Sequence, residues 1–570
     1  MKKLICVFCL CVGLFISCNS ESVREIRMDS YTSKMKAGWL GQMAGVGWGA
    51  TTEFKFNGMI IPEENVPTWK PELINQYIQD DIYVEMTFLR TLEQYGLDVS
   101  IRQAGIDFAN SKYQLWHANR FGRENLRNGI APPWSGHPEF NKHADDIDYQ
   151  IEADYAGLIS PGLPQAGVDL GNIFGRIMNY GDGLYGGQFV SGMYAEAFFE
   201  KDIQKIIDAG LACIPNESIY YECITDVIKW YGENPDDWQK TWELIEAKYQ
   251  DNPDNRKFCC SGTEADFNID AKINGAYIVM GMLYGHGDLD KTIVISMRCG
   301  QDSDCNPSNA AGILATSMGM ENLPDKFKSA LDNKPKFSYT DYNFPGLVKV
   351  CNMLTRQNVK KYGGKIVSDN GVEVLQIPNI APKPNELEQC WDVEKVTEDY
   401  KFTEAEMAKI EVKVPKYDHY IKKWEISGPY TKEGIAGNEL LFVEFPPEQR
   451  KGEWKSIILG ENGLNKTNVV FQDIYGGENR VAYARTSFHS DSDKKGYLIM
   501  GTDDGVKLWH NDKLVHENNT DRGCNITDDK VQLNIQKGKN ILLFKIRQGT
   551  GGWEMAACFT DAEGNSIKLK

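Results

Sequence analysis

Two short acidic motifs contain the residues of this chain that are best suited to chemistry. Gln79-Asp80-Asp81 and Gln301-Asp302-Ser303-Asp304 are far apart in the sequence, and each precedes a segment with helical periodicity. Carboxylates at a helix N-terminus are favoured by the helix dipole, so capping alone would explain either pair. Four carboxylates directed into one space also suit one or two hard divalent cations, Mg²⁺ first and Ca²⁺ as the alternative. We therefore predict four metal ligands: Asp80, Asp81, Asp302 and Asp304.

A second acidic run, residues 145–154, supplies further candidate catalytic groups. If the run is helical, Asp145, Asp148 and Glu152 share one face, and neighbouring negative charges raise one another's pKa, as a general acid requires. The alternative is a solvated helix face, which charge runs usually form. Because loop-like sequence flanks the run on both sides, we predict that Asp148 and Glu152 are catalytic.

Aromatic and polar residues in Gly-rich and Pro-rich sequence are typical of sugar-binding sites. Such stretches occur at residues 116–120, 134–137 and 180–187, although aromatic side chains more often belong to a core. The Gly-rich stretch matches neither a phosphate-binding loop nor a dinucleotide-binding motif, and no nucleophile elbow is found. From these stretches we predict four substrate-binding residues: Trp116, His117, Trp134 and Asp182.

The elements that must position these residues change character along the chain. Helical periodicity dominates from Tyr31 to Tyr362 and predicts an α-helical catalytic domain over residues 31–375. A proline-spaced stretch predicts a linker at 376–398. Alternating apolar residues then predict a β-sandwich over 399–570. Its strands are expected near residues 410–414, 469–471, 506–508, 531–535 and 541–543.

Composition and the N-terminal segment limit the class of protein. A 570-residue chain with 42% hydrophobic residues and a net charge of −18 is a folded multidomain protein, and nucleic acid is not an expected partner. Residues 1–18 have the proportions of a secretory signal, and Ser17-Cys18 is similar to a bacterial lipobox. We expect a lipid-anchored envelope protein with a tether at 19–30, attached to the membrane through the anchor only; plain secretion is the alternative.

Three motifs together resemble the ADP-ribosylglycohydrolase family in order and spacing. They are Gly41–Gly45 with Glu53-Phe54 downstream, Gln79-Asp80-Asp81, and Gly300–Cys305. The resemblance implies an all-α orthogonal bundle whose two-magnesium centre holds the vicinal hydroxyls of a ribofuranose while water attacks the anomeric carbon. It gives the four aspartates as metal ligands and Glu53 as a catalytic carboxylate that acts as base or orients water.

Four positions depart from the family pattern. Gln79 and Cys305 stand where the family has threonine, Ile82 replaces another threonine, and Gln42 replaces an early aspartate. The number of bound ions, one or two, is therefore open.

The C-terminal region resembles jelly-roll accessory domains of the PA14-like or galactose-binding-like kind, chiefly through Gly496–Val515, read as a central hairpin. Such modules often accompany polysaccharide-degrading enzymes. The expected function is therefore metal-dependent hydrolysis of a glycosidic bond, in a furanoside or another glycan component, in an extracellular carbohydrate. The alternatives are a true ADP-ribosyl hydrolase and an inactive glycan-binding surface lipoprotein.

Overall fold

The computed structural model describes residues 23–263, 265–393, 395–396, 399–412, 417, 419–435, 437–561, 564 and 566–568. The predicted signal segment, the predicted lipidation site Cys18 and the first part of the predicted tether lie outside these residues. The chain divides into two compact units with a boundary between residues 413 and 414. In the part of the chain that is described, no helix is both long enough and apolar enough to cross a bilayer.

The first unit is mainly helical, as the periodicity predicts. Its helices are α1 (Met28–Gly49), α2 (Asp80–Tyr95), α3 (Ile101–Ala109), α4 (His117–Arg127), α5 (Asp148–Ile151), α6 (Asp154–Leu158), α7 (Pro164–Phe174), α8 (Asp182–Ala197), α9 (Ile203–Leu211), α10 (Ile219–Glu233), α11 (Trp238–Ile245), α12 (Ala271–Gly285), α13 (Leu289–Arg298), α14 (Cys305–Met318), α15 (Phe344–Lys361) and α16 (Glu404–Met407).

Helix α14 lies at the centre of this unit, and every residue from Cys305 to Ser317 is buried. Helix α1 packs along α14 through one face of small residues. A Cβ atom at Gly41 or Gly45 would collide with backbone carbonyls of α14, and one at Gly49 would collide with the backbone of Ser303 and Asp304. Glycine therefore allows a helix contact at backbone distance, and this contact brings the end of α1 to the beginning of α14.

A small antiparallel sheet, which the sequence did not predict, also belongs to the first unit. Its strands β1 (Val23–Arg27), β2 (Lys365–Asp369) and β3 (Val372–Pro378) have the order β1-β3-β2. Ile26 pairs with Leu375 and is buried. The tether prediction is therefore wrong from residue 23 onwards, because backbone pairing and burial of Ile26 fix this segment, and α1 already begins at Met28.

The described residues of the predicted linker, and those after it up to residue 412, pack against the helical unit. We call this segment the strap. Glu388 pairs with Arg176 at 2.9 Å, and the Cys390 side chain is buried. Glu406 receives two hydrogen bonds from Arg102, at 2.7 and 2.6 Å. Ile410 belongs to the helical core, so it does not start the β-sandwich. These contacts correct the 398/399 boundary: the described chain up to residue 412 belongs with the helices.

The second unit is an antiparallel β-structure. Its elements are β4 (Lys423–Tyr430), β5 (Lys455–Ile458), β6 (Val469–Val470), α17 (Phe471–Tyr475), β7 (Arg480–Ser490), β8 (Lys494–Asp503), β9 (Val506–His510), β10 (Lys513–Asn518), β11 (Asp529–Ile535), β12 (Gly538–Gln548), β13 (Glu554–Thr560) and β14 (Ser566–Ile567). One sheet has the order β10-β9-β12-β7-β4-β5, and the other has β11-β8-β13-β14 with β6 on β13.

The two sheets bury a common core, to which β8 contributes Leu498 and Met500 and β12 contributes Leu542 and Phe544. Alternate residues of β11 are buried, as expected for a strand with one face on a core. Two details differ from the sequence interpretation. Phe471 begins a short helix, and Gly496–Val515 is not a single hairpin, because β8 lies in one sheet and the β9–β10 hairpin in the other.

Candidate active site and metal centre

The two acidic motifs occupy the beginnings of α2 and α14. Helix α2 begins at Asp80, so Asp80 and Asp81 are its first two residues and do not lie ahead of it as the sequence predicts. Helix α14 begins at Cys305, and Asp304 occupies the N-cap position. Neither helix has a side-chain cap hydrogen bond at its N-cap residue. Asp302 Oδ1 nevertheless accepts the first backbone N–H of α14, from Cys305, at 3.3 Å, so the second motif satisfies a helix N–H although its N-cap residue does not.

The four predicted ligands and Glu53 come together. Asp81, Asp302 and Asp304 are buried, Asp80 is half-buried and Glu53 is exposed. Carboxylate oxygens of Asp302 and Asp304 and the Cys305 sulfur lie within 4.8 Å of one another. The group is thus closed on the helix side and open to solvent at Glu53 and Asp80.

Burial and mutual repulsion dominate the electrostatics of this group. Burial raises the pKa of Asp302 to about 8, to which the charges of Glu53 and Asp81 add. Burial and then the charge of Asp302 raise the pKa of Asp304 well above its usual range. Burial and then the charges of Asp80 and Asp304 do the same for Asp81. Desolvation, followed by the charges of Asp304 and Asp80, also raises the pKa of Glu53, although solvent weakens this effect.

The residues fit a bound divalent cation. Among the described residues, no Lys or Arg forms an ion pair with any of the five carboxylates, and Lys55 alone lowers the pKa of one, Glu53. Neither buried oxygen of Asp81 accepts a hydrogen bond of ordinary geometry. Buried carboxylates without a cationic partner are costly unless a cation or proton neutralises them, and oxygen donors of this kind suit Mg²⁺ or Ca²⁺.

A pair of backbone hydrogen bonds ties Glu53 to the second motif. Phe54 N–H donates to the Gln301 carbonyl at 3.1 Å, and Gln301 N–H donates to the Phe56 carbonyl at 3.2 Å. The Thr52 and Ser303 hydroxyls are 2.8 Å apart and buried. The segment that carries Glu53 is therefore fixed directly to the turn that carries Asp302 and Asp304.

Two of the residues that depart from the family pattern have structural partners. The Gln42 amide donates to Glu85 Oε1 at 2.5 Å, while Glu85 Oε2 accepts from the Tyr155 backbone at 2.7 Å. Cys305 is buried beside Asp304, with Sγ 3.8 Å from Asp304 Oδ1. Gln42 thus serves a buried hydrogen-bond network next to the centre, and Cys305 belongs to the centre itself.

Asp148 and Glu152 lie next to Asp80, but not on a continuous helix. Helix α5 is a single turn, Asp148–Ile151, because the chain turns again before α6. The backbone N–H groups of Ala118 and Asn119 donate to the two oxygens of Asp148 at 3.1 and 2.9 Å. The Asn119 amide donates to Glu152 Oε1, while Glu152 Oε2 is buried without a partner. The predicted shared helix face is therefore wrong, although both acids reach the site.

Burial raises the pKa of both acids. The pKa of Asp148 is raised to about 7, with the charge of Asp80 adding to burial and backbone hydrogen bonds opposing it. Burial and the charge of Asp148 raise the pKa of Glu152 well above its usual range. Glu152 therefore keeps a proton near neutral pH more readily than a solvated glutamate does.

Asp182 belongs to a different acidic group. Its side chain is 4% exposed and accepts from the Tyr220 backbone at 3.3 Å. Burial raises its pKa to about 6, opposed by Lys272 and increased by Asp270. Lys272 Nζ lies 2.8 Å from Asp270 Oδ2, and both side chains are buried. Asp182 therefore lies in a buried charged group apart from the metal centre, and its substrate-binding role stays a prediction.

The three aromatic substrate-binding predictions have different placements. Trp116 is 45% exposed at the beginning of α4. The His117 ring stacks on Phe267 at 5.9 Å, and its Nδ1 lies 3.5 Å from Asp146 Oδ2. Trp134 is half-buried and contacts His137 edge-to-face at 5.5 Å. Trp116 and His117 border Asp148 through α4, whereas the ring contact of Trp134 is with His137.

Tyr83 is a site residue that sequence reasoning missed. Burial, followed by the charges of Asp80 and Glu152, raises its pKa above the ordinary tyrosine value. Its ring lies 4.9 Å from Tyr113 and 5.4 Å from Tyr339, and Tyr339 is 62% exposed. The i, i+3 spacing from Asp80 could have identified Tyr83. No sequence signal marks Tyr339, which reaches this position from a distant loop.

The comparisons with known proteins agree with this geometry. A family model described as ADP-ribosylglycohydrolase matches residues 27–357, more than half of the chain. The chain belongs to the ADP-ribosylglycohydrolase family. The matched segment contains both acidic motifs and Glu53. The predicted fold class, a helical domain of the ADP-ribosylglycohydrolase type followed by an all-β region, is therefore confirmed. The PA14-like character of the second unit stays a prediction.

The chain is also similar to solved structures, but this similarity assigns no function to it. One, "ADP-ribosylglycohydrolase-related protein complex", is 12% identical over 58% of this chain and 99% of that chain, with a TM-score of 0.39. An anti-sigma factor domain-containing protein from Clostridium clariflavum is 12% identical over 27% of this chain and 47% of its own, with a TM-score of 0.17. No curated protein matches the chain.

Proposed function

We propose that this ADP-ribosylglycohydrolase family member is a metal-dependent glycoside hydrolase. The observation that carries the proposal is the convergence of Asp80, Asp81, Asp302, Asp304 and Glu53, none of which forms an ion pair with a Lys or Arg among the residues that the structure describes. Membership of the family suggests a hydrolase. A divalent cation held by the four aspartates would supply Lewis acidity and orient sugar hydroxyls.

Different acidic residues of the chain are suited to accept a proton, to hold a proton and to position the other groups. Glu53 is the exposed carboxylate of the centre, so it is placed to accept a proton from an attacking water. Glu152 has one unpartnered oxygen and a raised pKa, which suits a group that holds a proton. Both oxygens of Asp148 accept backbone N–H groups, which favours a positioning role. Cleavage of a glycosidic bond needs such a division between acid and base.

The proposed substrate is an extracellular glycan, with a furanoside as the first class to test. The lipobox-like Ser17-Cys18 supports an anchored envelope protein, and the all-β second unit is compatible with an accessory glycan-binding module. Exposed Trp116 and Tyr339 provide aromatic surface of the kind that stacks on sugar rings.

The same centre supports a second candidate activity, the removal of ADP-ribose. The family match over residues 27–357 favours it. A panel of aryl furanosides, aryl pyranosides and ADP-ribosyl substrates, each with Mg²⁺, Ca²⁺ or EDTA, separates the two activities. Asp302→Asn is the test variant, and Asp98→Asn, a change at a side chain that is 91% exposed, is the matched control.

Glycoside hydrolysis is supported if the wild type and Asp98→Asn release an aryl sugar in a metal-dependent reaction. The rate of that release should be at least about 100-fold lower in Asp302→Asn. Release of ADP-ribose alone supports the second activity. If no substrate is turned over while glycan binding persists, the protein is a binding lipoprotein and the proposal fails.

A further inference from the structure

A second group of potential metal ligands lies beside the acidic centre. His117, His143, Asp146 and Cys260 come from three separate segments, and one ligand atom from each lies within 4.8 Å of all the others. Asp146 Oδ2 is 2.6 Å from His143 Nδ1 and 3.5 Å from both His117 Nδ1 and Cys260 Sγ. The carboxylate of Asp146 therefore stands at the middle of the group.

The kinds of donor atom distinguish this group from the all-oxygen centre. Two imidazoles, one thiolate and one carboxylate form a four-ligand set of the type that binds Zn²⁺, whereas Mg²⁺ and Ca²⁺ prefer oxygen ligands. Asp146 is fully buried, and its Oδ1 has no hydrogen-bond partner. We propose that His117, His143, Asp146 and Cys260 form a Zn²⁺ site that is separate from the acidic centre and independent of the proposed function.

The loop that carries Cys260 is built around a buried arginine. Arg256 is 1% exposed, and its guanidinium donates to the carbonyls of Gln250 at 3.1 Å and Ala265 at 3.0 Å. It also lies 3.2 Å from Cys259 Sγ, which points this neighbouring thiol toward the loop. Cys260 is the cysteine that faces Asp146, so the two adjacent thiols have different environments.

Zinc binding would replace interactions that the four side chains make in the metal-free protein. The hydrogen bond between His143 and Asp146 would give way to metal coordination by both side chains. The Cys260 thiol would bind as a thiolate, and its proton would pass to solvent, so no oxidant or reductant is needed. Each Zn²⁺ bound should therefore release at least one proton, which a pH indicator in weak buffer measures.

A bound zinc ion would stabilise the segments that lie next to the acidic centre. Asp146 precedes Asp148 by two residues, and His117 begins the helix whose backbone N–H groups bind Asp148. A metal at this point would join α4, the Asp146–Asp148 segment and the Cys260 loop. This is a structural role, since all four coordination positions of a tetrahedral zinc are taken by protein.

The experiment uses the full chain, stripped of metal and then loaded with Zn²⁺ or Co²⁺. After dialysis, mass spectrometry should find about one zinc per chain, and Co²⁺ should give a thiolate-to-cobalt charge-transfer band. Cys260→Ser should lose the band and weaken Zn²⁺ binding at least about tenfold. Cys259→Ser and Cys305→Ser are matched controls that should keep both, because Cys305 lies in the acidic centre.

His143→Gln is a second variant that tests the same site without removing a thiol, and circular dichroism establishes that each variant is folded. Its zinc affinity should fall as that of Cys260→Ser does. The proposal is overturned if the wild type retains no zinc, if Cys305→Ser loses the band while Cys260→Ser keeps it, or if both site variants bind zinc as tightly as the wild type.

Discussion

Asp302 and Asp304 hold like charges in a place where little water can screen them. Removing one charge from the metal-free protein should therefore stabilise it while removing a metal ligand. We expect Asp304→Asn to raise the free energy of unfolding in EDTA by roughly 1–3 kcal/mol at pH 8. The stabilisation that Mg²⁺ gives the wild type should disappear. Urea unfolding with and without Mg²⁺ measures both effects, and lower stability of the variant in EDTA would contradict the repulsion argument.

The raised pKa values also predict how the metal-free protein responds to pH. Burial raises the pKa of Asp302 to about 8 and that of Asp148 to about 7, so the folded state binds more protons than the unfolded state between pH 4 and pH 8. Stability must then fall as pH rises through this range. We expect a loss of several kcal/mol between pH 5 and pH 8 in EDTA, recovered by Mg²⁺ mainly at the higher pH.

Chemical denaturation at several pH values tests this expectation. Asp302→Asn should flatten the slope because it removes one of the titrating groups, whereas Asp98→Asn, at an exposed position, should leave the slope unchanged. A metal-free wild type whose stability rises from pH 5 to pH 8 would show that these carboxylates are not held at raised pKa.

At the scale of elements, the contact between α1 and α14 sets the position of the acids. A Cβ at Gly45 would collide with the Pro307 carbonyl oxygen in the first turns of α14. Gly45→Ala should therefore separate the helices, lower the free energy of unfolding by roughly 2–4 kcal/mol and weaken Mg²⁺ binding. Gly232→Ala is the control, because nothing lies within 4 Å of its Cβ position. It should leave stability unchanged or raise it by up to about 1 kcal/mol.

The sequence could predict helices α2 and α14, at whose beginnings the two acidic motifs lie, because local signals encode them. Helical periodicity and acidic residues at helix beginnings depend on neighbours three or four positions away. The family resemblance then joined the two motifs and Glu53. The sequence could not predict that Asp145, Asp148 and Glu152 do not share a face, because Glu152, in the turn between α5 and α6, is bound by the Asn119 amide of α4, a distant segment.

Long-range contacts explain the remaining errors at the scale of the whole molecule. Residues 23–27 read as a polar tether, yet they pair with β3 more than three hundred positions away. The proline-rich stretch reads as a linker, yet Glu388 and Cys390 contact the segment between α7 and α8 of the helical unit. Asp182 reads as a surface residue of a Gly-rich loop, yet Lys272 from another helix makes it part of a buried charge group.

A last prediction concerns where the chain can be truncated without destabilising the helical unit, and it follows from the contacts of the strap. A chain of residues 23–412 retains Glu388, Cys390, Phe402 and Ile410, which contact or join the helical core. A chain of residues 23–378 loses them all. We expect the longer chain to fold with a single cooperative transition and the shorter one to melt at least several degrees lower, since it exposes apolar surface and removes the carboxylate partners of Arg102 and Arg176.

Calorimetry of the two truncated chains measures the difference, and Arg102→Ala in the longer chain separates the ion pair from the apolar contacts. That variant should lose only about 1 kcal/mol, because Arg102 is partly exposed and solvent weakens its pair with Glu406. Equal melting temperatures for 23–412 and 23–378 would mean that the strap follows the surface without stabilising it. The catalytic unit would then end near Pro378, as the proline pattern alone predicts.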